Sequence, residues 1–348
     1  MAQLVTAQAA TLGVENVVLV VGADERHFFE TVPPATLRLF RSSTRRLRAF
    51  AQMARFAHRT IAAERPDIIH VHSTFAGVLI RVRYLSIRRS RRPAIVYCAH
   101  GWAFNMRISA RNKRLYQIIE RLLARATDRI LCISRFEYDR AVAVGLPAAK
   151  LAMVYNGLPP LAADPAPAFG FDPERINLLF IGRISAQKGL PDLLAAMALL
   201  QDRAIHLHIV GDRVSAHRPA PANVTEHGWQ PHEALAGYIA AADAIVMPSH
   251  WEGFGLAAIE AMRQARAVVA SDVDALPEIV QPGVSGYLYA CGDVAALADV
   301  LSRLNRPDLR ALGQSGRALF LSRFTEDRMI ADIAAIYGHV TNTVSEPY

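Results

Sequence analysis

Ser249-His250-Trp251-Glu252-Gly253-Phe254-Gly255-Leu256-Ala257-Ala258-Ile259-Glu260 leads out of an apolar run and into a helix through a glycine turn. The run, Ala244-Ile245-Val246-Met247, has the unbroken apolar character of a parallel strand buried on both faces. A strand that ends in a glycine turn and a helix N-terminus offers free N–H groups and a helix dipole to phosphate. Carboxylates beside such a site repel phosphate, so Glu252 and Glu260 suit neutral hydroxyls. Phosphates and hydroxyls together describe a sugar nucleotide.

The same rhythm extends in both directions. Around the turn, strands are predicted at 177–181, 205–210, 224–227, 244–247, 267–270 and 286–289, with helices at 191–201, 231–242, 256–265 and 293–305. The first half repeats the pattern, with strands at 17–21, 68–71, 95–98, 129–133 and 151–155 and helices at 45–64, 75–88, 111–126 and 136–144. Such alternation builds doubly wound parallel sheets. A proline-rich stretch from Leu158 to Gly170 reads as a linker. The expected architecture is α/β, with two Rossmann-like domains, 1–157 and 158–324, facing a cleft. A last amphipathic helix carries Met329, Ile330, Ile333 and Ile336 and is expected to complete the first domain over 325–343.

Composition narrows the class. With 348 residues, 52% of them hydrophobic, the chain can build two cores and is not disordered. No window reaches the roughly 18 apolar residues of a membrane span. Met1-Ala-Gln-Leu-Val-Thr6 lacks the segments of a signal peptide, which points to a cytoplasmic protein. Cys98, Cys132 and Cys291 are scattered and odd in number, as reduced cysteines without a metal or disulfide role would be. Residues 1–157 hold 25 Lys and Arg against 10 Asp and Glu, a net +15, while the remainder carries −7. The first half therefore suits an anionic surface or substrate, although an ordinary solvated face gives the same count.

Arg183 and Lys188 stand in Gly182-Arg183-Ile184-Ser185-Ala186-Gln187-Lys188-Gly189, on the loop leaving the first strand of the second half. Ligands of open α/β sheets bind at the carboxyl ends of strands, where this loop lies. An arginine fork and a lysine point charge together neutralise a diphosphate. The Walker order is absent.

Gly182-Arg183…Lys188-Gly189, Gly211-Asp212, Glu252-Gly253-Phe254-Gly255…Glu260 and Pro277-Glu278…Gly283…Gly286 resemble, in order and spacing, the family 4 glycosyltransferases. These are retaining enzymes of the GT-B fold. His70-Val71-His72-Ser73, Ala99-His100-Gly101-Trp102 and Cys132-Ile133-Ser134 are similar to the branch that builds capsular polysaccharide, exopolysaccharide or O-antigen units. The resemblance implies that Arg183 and Lys188 bind the donor diphosphate, Glu260 the ribose hydroxyls, and Glu252 a hydroxyl of the donor sugar. It places the backbone of Gly253, Phe254, Gly255 and Leu256 on sugar and phosphate, Trp229 beside the base, and His100 near the reacting sugar. Trp229 reads equally well as core, and Ser134 as a helix N-cap.

The implied activity is hexosyl transfer from a nucleotide-diphosphate sugar, a UDP-sugar being the expected donor, with no cofactor and no metal. The acceptor would be a polyprenyl-diphosphate-linked glycan, and the enzyme peripheral at the inner face of the plasma membrane. An anionic membrane surface is thus an expected partner, reached through Arg88, Arg89, Arg91 and Arg92, through Arg45, Arg46, Arg48, Arg55 and Arg59, and through the basic helix 111–125. The apolar stripe of that helix is expected to be buried, leaving its arginines as the membrane contact.

The family's usual first strand and Gly-Gly loop have no counterpart here. Ala2–Gly13 is similar to the end of the helix that follows them, and a sheet without that strand leaves two neighbours unpaired. An inactive sugar-nucleotide-binding scaffold is the alternative reading. A glycosidase pair at Glu252 and Glu260 would have no use for the phosphate loop. An epimerase of the same fold fits the Glu…Glu pair poorly, and no motif supports nucleic-acid binding.

Overall fold

The computed structural model describes residues 1–41, 47–167, 170–212 and 221–345, with side chains left undescribed at 47–49 and 342–345. Arg45 and Arg46, and the side chain of Arg48, lie outside the described parts. The chain divides into two compact units. Unit 1 comprises Met1–Ile133, Tyr138–Val154 and Glu326–Tyr348, and unit 2 comprises Ser134–Glu137 and Tyr155–Thr325.

Unit 1 runs α1 (Ala2–Leu12), β1 (Leu19–Gly22), β2 (Leu37–Phe40), α2 (Leu47–Glu64), β3 (Ile68–His72), α3 (Thr74–Arg81), β4 (Ala94–Cys98), α4 (Ala110–Leu123), β5 (Arg129–Cys132), α5 (Arg135–Ala143) and β6 (Leu151–Met153). The first turn of α5 groups with unit 2, where the Ser134 hydroxyl accepts from the Glu137 N–H at 3.0 Å, the N-cap expected of it.

Unit 2 follows with β7 (Ile176–Ile181), α6 (Leu190–Ala198), β8 (Ile205–Val210), β9 (Val224–Gly228), α7 (His232–Ala241), β10 (Ala244–Met247), α8 (Leu256–Arg263), β11 (Ala267–Ser271), α9 (Leu276–Ile279), β12 (Gly286–Tyr289), α10 (Val294–Ser302) and α11 (Arg306–Arg323). Its strands form one parallel sheet in the order β12-β11-β10-β7-β8-β9. β7 pairs on one side with β8 and on the other with β10, so the winding direction reverses between β7 and β10. That reversal opens a crevice at the carboxyl ends of the two strands. Leu178, Phe180, Leu207, Val246 and Val269 pack against Leu193, Met197, Leu297 and Leu301 of the flanking helices.

In unit 1 the corresponding halves are separate among the described residues. β1 and β2 pair as one parallel sheet, and β3-β4-β5-β6 form another. The strand that joins the halves in unit 2, β7, thus has no described equivalent in unit 1. The two sheets of unit 1 also have separate cores, one around Val5, Ala9, Val17 and Val32 and one around Ile95, Tyr97, Trp102 and Ile130.

Three elements escaped the sequence pattern, β2, the short α9 and α11. Gly313 and Gly316 let α11 pack closely. A Cβ at Gly313 would lie 2.0 Å from the Ala265 carbonyl oxygen, and one at Gly316 would sit 3.3 Å from Ser285 and 3.4 Å from Met262. The final helix, α12 (Glu326–Ser345), belongs to unit 1. Its Tyr337 hydroxyl lies 2.6 Å from His70 Nδ1 and accepts from Gln8 Nε2 at 3.1 Å, while Ile333 and Val340 are buried.

α4 is packed the reverse of its expected way. Its only carboxylate, Glu120, is 2% exposed and accepts from Arg81 of α3 at 2.8 Å and from the Tyr97 hydroxyl of β4 at 3.0 Å. The Arg81 guanidinium lies 3.6 Å from the centre of the Tyr97 ring. With Glu120 and Leu123 turned inward, Leu115, Ile118 and Leu122 face outward, so the expectation of a buried stripe is corrected. The loop arginines need a second correction. Arg89 and Arg92 both pair with Asp128, at 2.8 and 2.7 Å, which leaves Arg88 and Arg91 exposed.

Because the Arg81–Glu120 pair is buried, Glu120→Ala should destabilise unit 1 by about 3–5 kcal/mol by stranding the guanidinium. The double replacement Arg81→Met, Glu120→Leu should cost less. Urea denaturation followed by circular dichroism checks this, and a single variant within ~1 kcal/mol of wild type would contradict it.

Candidate functional site

The crevice of unit 2 is formed by the loops after β7 and β10, and their backbones are stitched together. Gly189 adopts φ +62°, and a Cβ there would fall 1.8 Å from the Pro248 carbonyl oxygen. Only glycine permits both the left-handed backbone and that approach. The His250 N–H donates to the Gln187 carbonyl at 2.8 Å, and Gln187 Nε2 donates to the Trp251 carbonyl at 3.1 Å. His250 Nε2 also meets Asp192 at 2.9 Å.

This clamp sets Lys188 against Glu252, Nζ to Oε2 at 2.6 Å. The same carboxylate oxygen accepts from the Ser249 hydroxyl at 3.2 Å, and the Glu252 N–H donates to Asp274 Oδ2 at 2.8 Å. Asp274 itself sits at φ +50°, a strained value for a non-glycine residue. Gly255 at φ +102° turns the chain into α8, whose first N–H groups lack intrahelical partners. Phe254 is buried beneath the turn against Tyr155 and Phe324, and Leu256 is exposed.

Glu260 lies about one turn into α8, where burial raises its carboxyl pKa against the opposing pull of His232 and Arg263. Arg183 is exposed on the loop after β7. Unit 2 therefore supplies Arg183, Lys188, Glu252, Gly253, Phe254, Gly255, Leu256 and Glu260 from the two loops at the reversal and the helix that follows one of them. Trp229, in the loop after β9, is 66% exposed, which removes the core reading. Glu278 holds structure in place, accepting from the Arg135 and Phe136 N–H groups at 2.7 and 2.6 Å and from the Tyr155 hydroxyl at 3.2 Å.

His100 belongs to unit 1. It stands just past β4 at φ +54°, with Nε2 2.8 Å from Nδ1 of His72 at the end of β3. Burial holds its pKa down at about 4 and that of His70 at about 3, so both are neutral at pH 7. Burial likewise holds the pKa of His72 well below its ordinary value, so His72 and His100 are both neutral and one must donate to the other, which fixes their tautomers relative to each other. His72, Cys98 and His100 bring metal-ligand atoms within 4.8 Å of one another, a grouping across adjacent strands that scattered cysteines did not reveal. The short His72–His100 contact is satisfied by one shared proton without an ion. Asp274 is not singled out by sequence spacing, and Ser249, Gln187 and His72 stand within the motifs without an assigned role, because each acts from the end of a different strand or loop.

Residues 175–306 match the model described as glycosyl transferases group 1, and residues 1–160 the model described as glycosyltransferase family 4. A D-inositol 3-phosphate glycosyltransferase of Actinosynnema mirum is 30% identical over 314 residues, covering 80% of this chain and 74% of the relative. An uncharacterized 41.2 kDa protein in the cps region of Klebsiella pneumoniae is 28% identical over 308 residues, 86% of each chain. The crystal structure of Anabaena HepE in complex with UDP-glucose superposes with a TM-score of 0.77 at 17% identity, over 97% of this chain and 95% of that one. Two Rossmann-like units, a clamped crevice at the sheet reversal and these matches lead to one assignment: the chain belongs to glycosyltransferase family 4 and has the GT-B fold.

Proposed function

We propose that the chain transfers a hexosyl unit, with retention of configuration, from a UDP-sugar to a polyprenyl-diphosphate-linked glycan in capsular polysaccharide, exopolysaccharide or O-antigen assembly. The observation that carries this reading is the Lys188–Glu252 pair held by clamped loops at the mouth of α8. The cps location named for the Klebsiella relative and the UDP-glucose of the HepE complex support the pathway and the donor. The acceptor is lipid-linked, and the enzyme works peripherally at the inner face of the plasma membrane.

The donor diphosphate would lie over the N-terminus of α8, with Arg183 forking onto it and Lys188 as a point charge. Lys188 then exchanges part of its contact with Glu252 for phosphate, which frees the Glu252 carboxylate to accept from a sugar hydroxyl. Glu260, whose burial outweighs the pull of His232 and Arg263, accepts two ribose hydroxyls. In a front-face displacement the anomeric carbon–oxygen bond to the diphosphate breaks as the acceptor oxygen bonds to the same face. The leaving phosphate takes the acceptor proton. Lys188, Arg183 and the helix N-terminus stabilise the charge that develops on the nucleoside diphosphate, so the reaction is proposed to need no metal. Neutral His100 serves as a hydrogen-bonding partner of the reacting sugar.

Lys188→Ala should lower kcat/KM roughly 10- to 150-fold, the loss of one charge-assisted contact of about 1.5–3 kcal/mol. Steady-state transfer with a radiolabelled UDP-sugar panel measures it, and undiminished turnover would contradict the assignment. Donor binding without any transfer would favour the inactive binder.

Glu260 separates binding from stability. Its raised pKa means that the folded chain holds a proton the unfolded chain has released, so stability falls as pH rises through that range. Glu260→Gln should therefore leave the ligand-free melting temperature equal or higher while abolishing most of the shift that UDP produces. Wild type at a hundredfold excess of ligand over Kd should gain about 2.7 kcal/mol. A variant that keeps the full shift would contradict the ribose assignment.

His100 should leave its mark on the acid side. With its pKa near 4, it places no limb near pH 6.5 in the kcat/KM profile, and activity should persist until the imidazole protonates near pH 4. A limb near 6.5 that vanishes in His100→Asn would contradict the neutral role.

A further inference from the structure

α4 exposes what most helices bury. Leu115, Ile118 and Leu122 are 53%, 54% and 44% exposed and fall on one stripe at the i, i+3, i+7 spacing. Arg114, Arg121 and Arg125 flank that stripe on one side, all exposed and without an ion pair among the described residues. The only carboxylate of the helix, Glu120, is buried on the opposite face, so no acidic group of α4 offsets these charges. The helix cannot roll to hide the stripe, because Glu120 is fixed by Arg81 and Tyr97. Among the described residues no helix is long and apolar enough to cross a membrane. A short helix with an apolar stripe beside a basic one instead lies in the plane of a bilayer interface.

We propose that α4 is an interfacial anchor that seats Leu115, Ile118 and Leu122 among the acyl chains of an anionic bilayer while Arg114, Arg121 and Arg125 engage lipid phosphates. Charge decides the occupant. The first 157 residues carry a net +15, and an apolar stripe inside such a field fits an anionic lipid surface better than a second copy of the same positive chain. The inference deepens the acceptor half of the proposed function and rests on it for the presence of a membrane substrate. It differs from attachment by arginines alone in requiring the aliphatic side chains to enter the bilayer.

The test uses the full chain with vesicles of 30% phosphatidylglycerol in phosphatidylethanolamine, alongside phosphatidylcholine vesicles. Wild type should sediment with the anionic vesicles at low salt and keep a measurable bound fraction at 0.5 M salt. The triple variant Leu115→Ser, Ile118→Ser, Leu122→Ser should bind at least tenfold more weakly with an unchanged melting temperature. Arg114→Gln, Arg121→Gln, Arg125→Gln should weaken binding to anionic vesicles and remove its salt dependence. Ile118→Trp should shift its emission to the blue on anionic vesicles only.

Three results would overturn the proposal: a serine variant that binds like wild type, an Ile118→Trp emission unchanged by lipid, or a dimer by light scattering that the serine variant dissolves. Donor hydrolysis in solution by the serine variant keeps this outcome separate from the donor-site reading, since loss of lipid binding with intact hydrolysis leaves that reading standing.

Discussion

Two loops at the sheet reversal of unit 2 are locked to each other by a contact that only glycine allows, Gly189 against the Pro248 carbonyl. The geometry of the site follows from that lock. Parallel strands β7 and β10 deliver their loops to the same edge, and the reversal leaves a crevice there. The lock removes the freedom of those loops, so Lys188 and Glu252 meet at 2.6 Å without a ligand. A cation and a carboxylate held in this way are preorganised for a substrate that needs both. Their ion pair, partly shielded from water, also keeps the lysine from wandering while the site waits.

The electrostatics of the crevice are unfinished in a way that suits a sugar nucleotide. Glu260 is desolvated and gains only modest help from His232 and Arg263, so hydroxyl donors would relieve a strain already present in the folded chain. Arg183 is exposed, and the helix N-terminus of α8 offers unpaired N–H groups. In unit 1 the logic is reversed: burial strips the charge from His72 and His100 and leaves neutral hydrogen-bonding groups at the ends of β3 and β4.

Unit 2 was legible because most of its strands are short apolar runs alternating with helices, and because Arg183, Lys188, Glu252 and Glu260 sit at fixed offsets from strand ends. Its unpredicted helices include α11, where Gly313 and Gly316 serve close contacts with Ala265, Ser285 and Met262 that only the folded chain brings together. α4 was misread for a different reason. A periodic stripe says that a helix has two faces, and the rule that apolar faces turn inward fails when a carboxylate finds a buried arginine. Arg89 and Arg92 could not be told from Arg88 and Arg91 by spacing, since Asp128 lies more than thirty residues away in sequence. Asp274 belongs to none of the motifs, and the motif around His72 does not reveal its partner, since both act on neighbours brought by the sheet.

The most direct test of the donor site is a crystal structure of the chain with an intact UDP-sugar. The diphosphate oxygens should lie about 2.7–2.9 Å from Lys188 Nζ and the Arg183 guanidinium, over the first turn of α8, with the ribose hydroxyls on Glu260. A nucleotide bound elsewhere in unit 2, with Lys188 still paired to Glu252 and Glu260 facing no hydroxyl, would contradict the account.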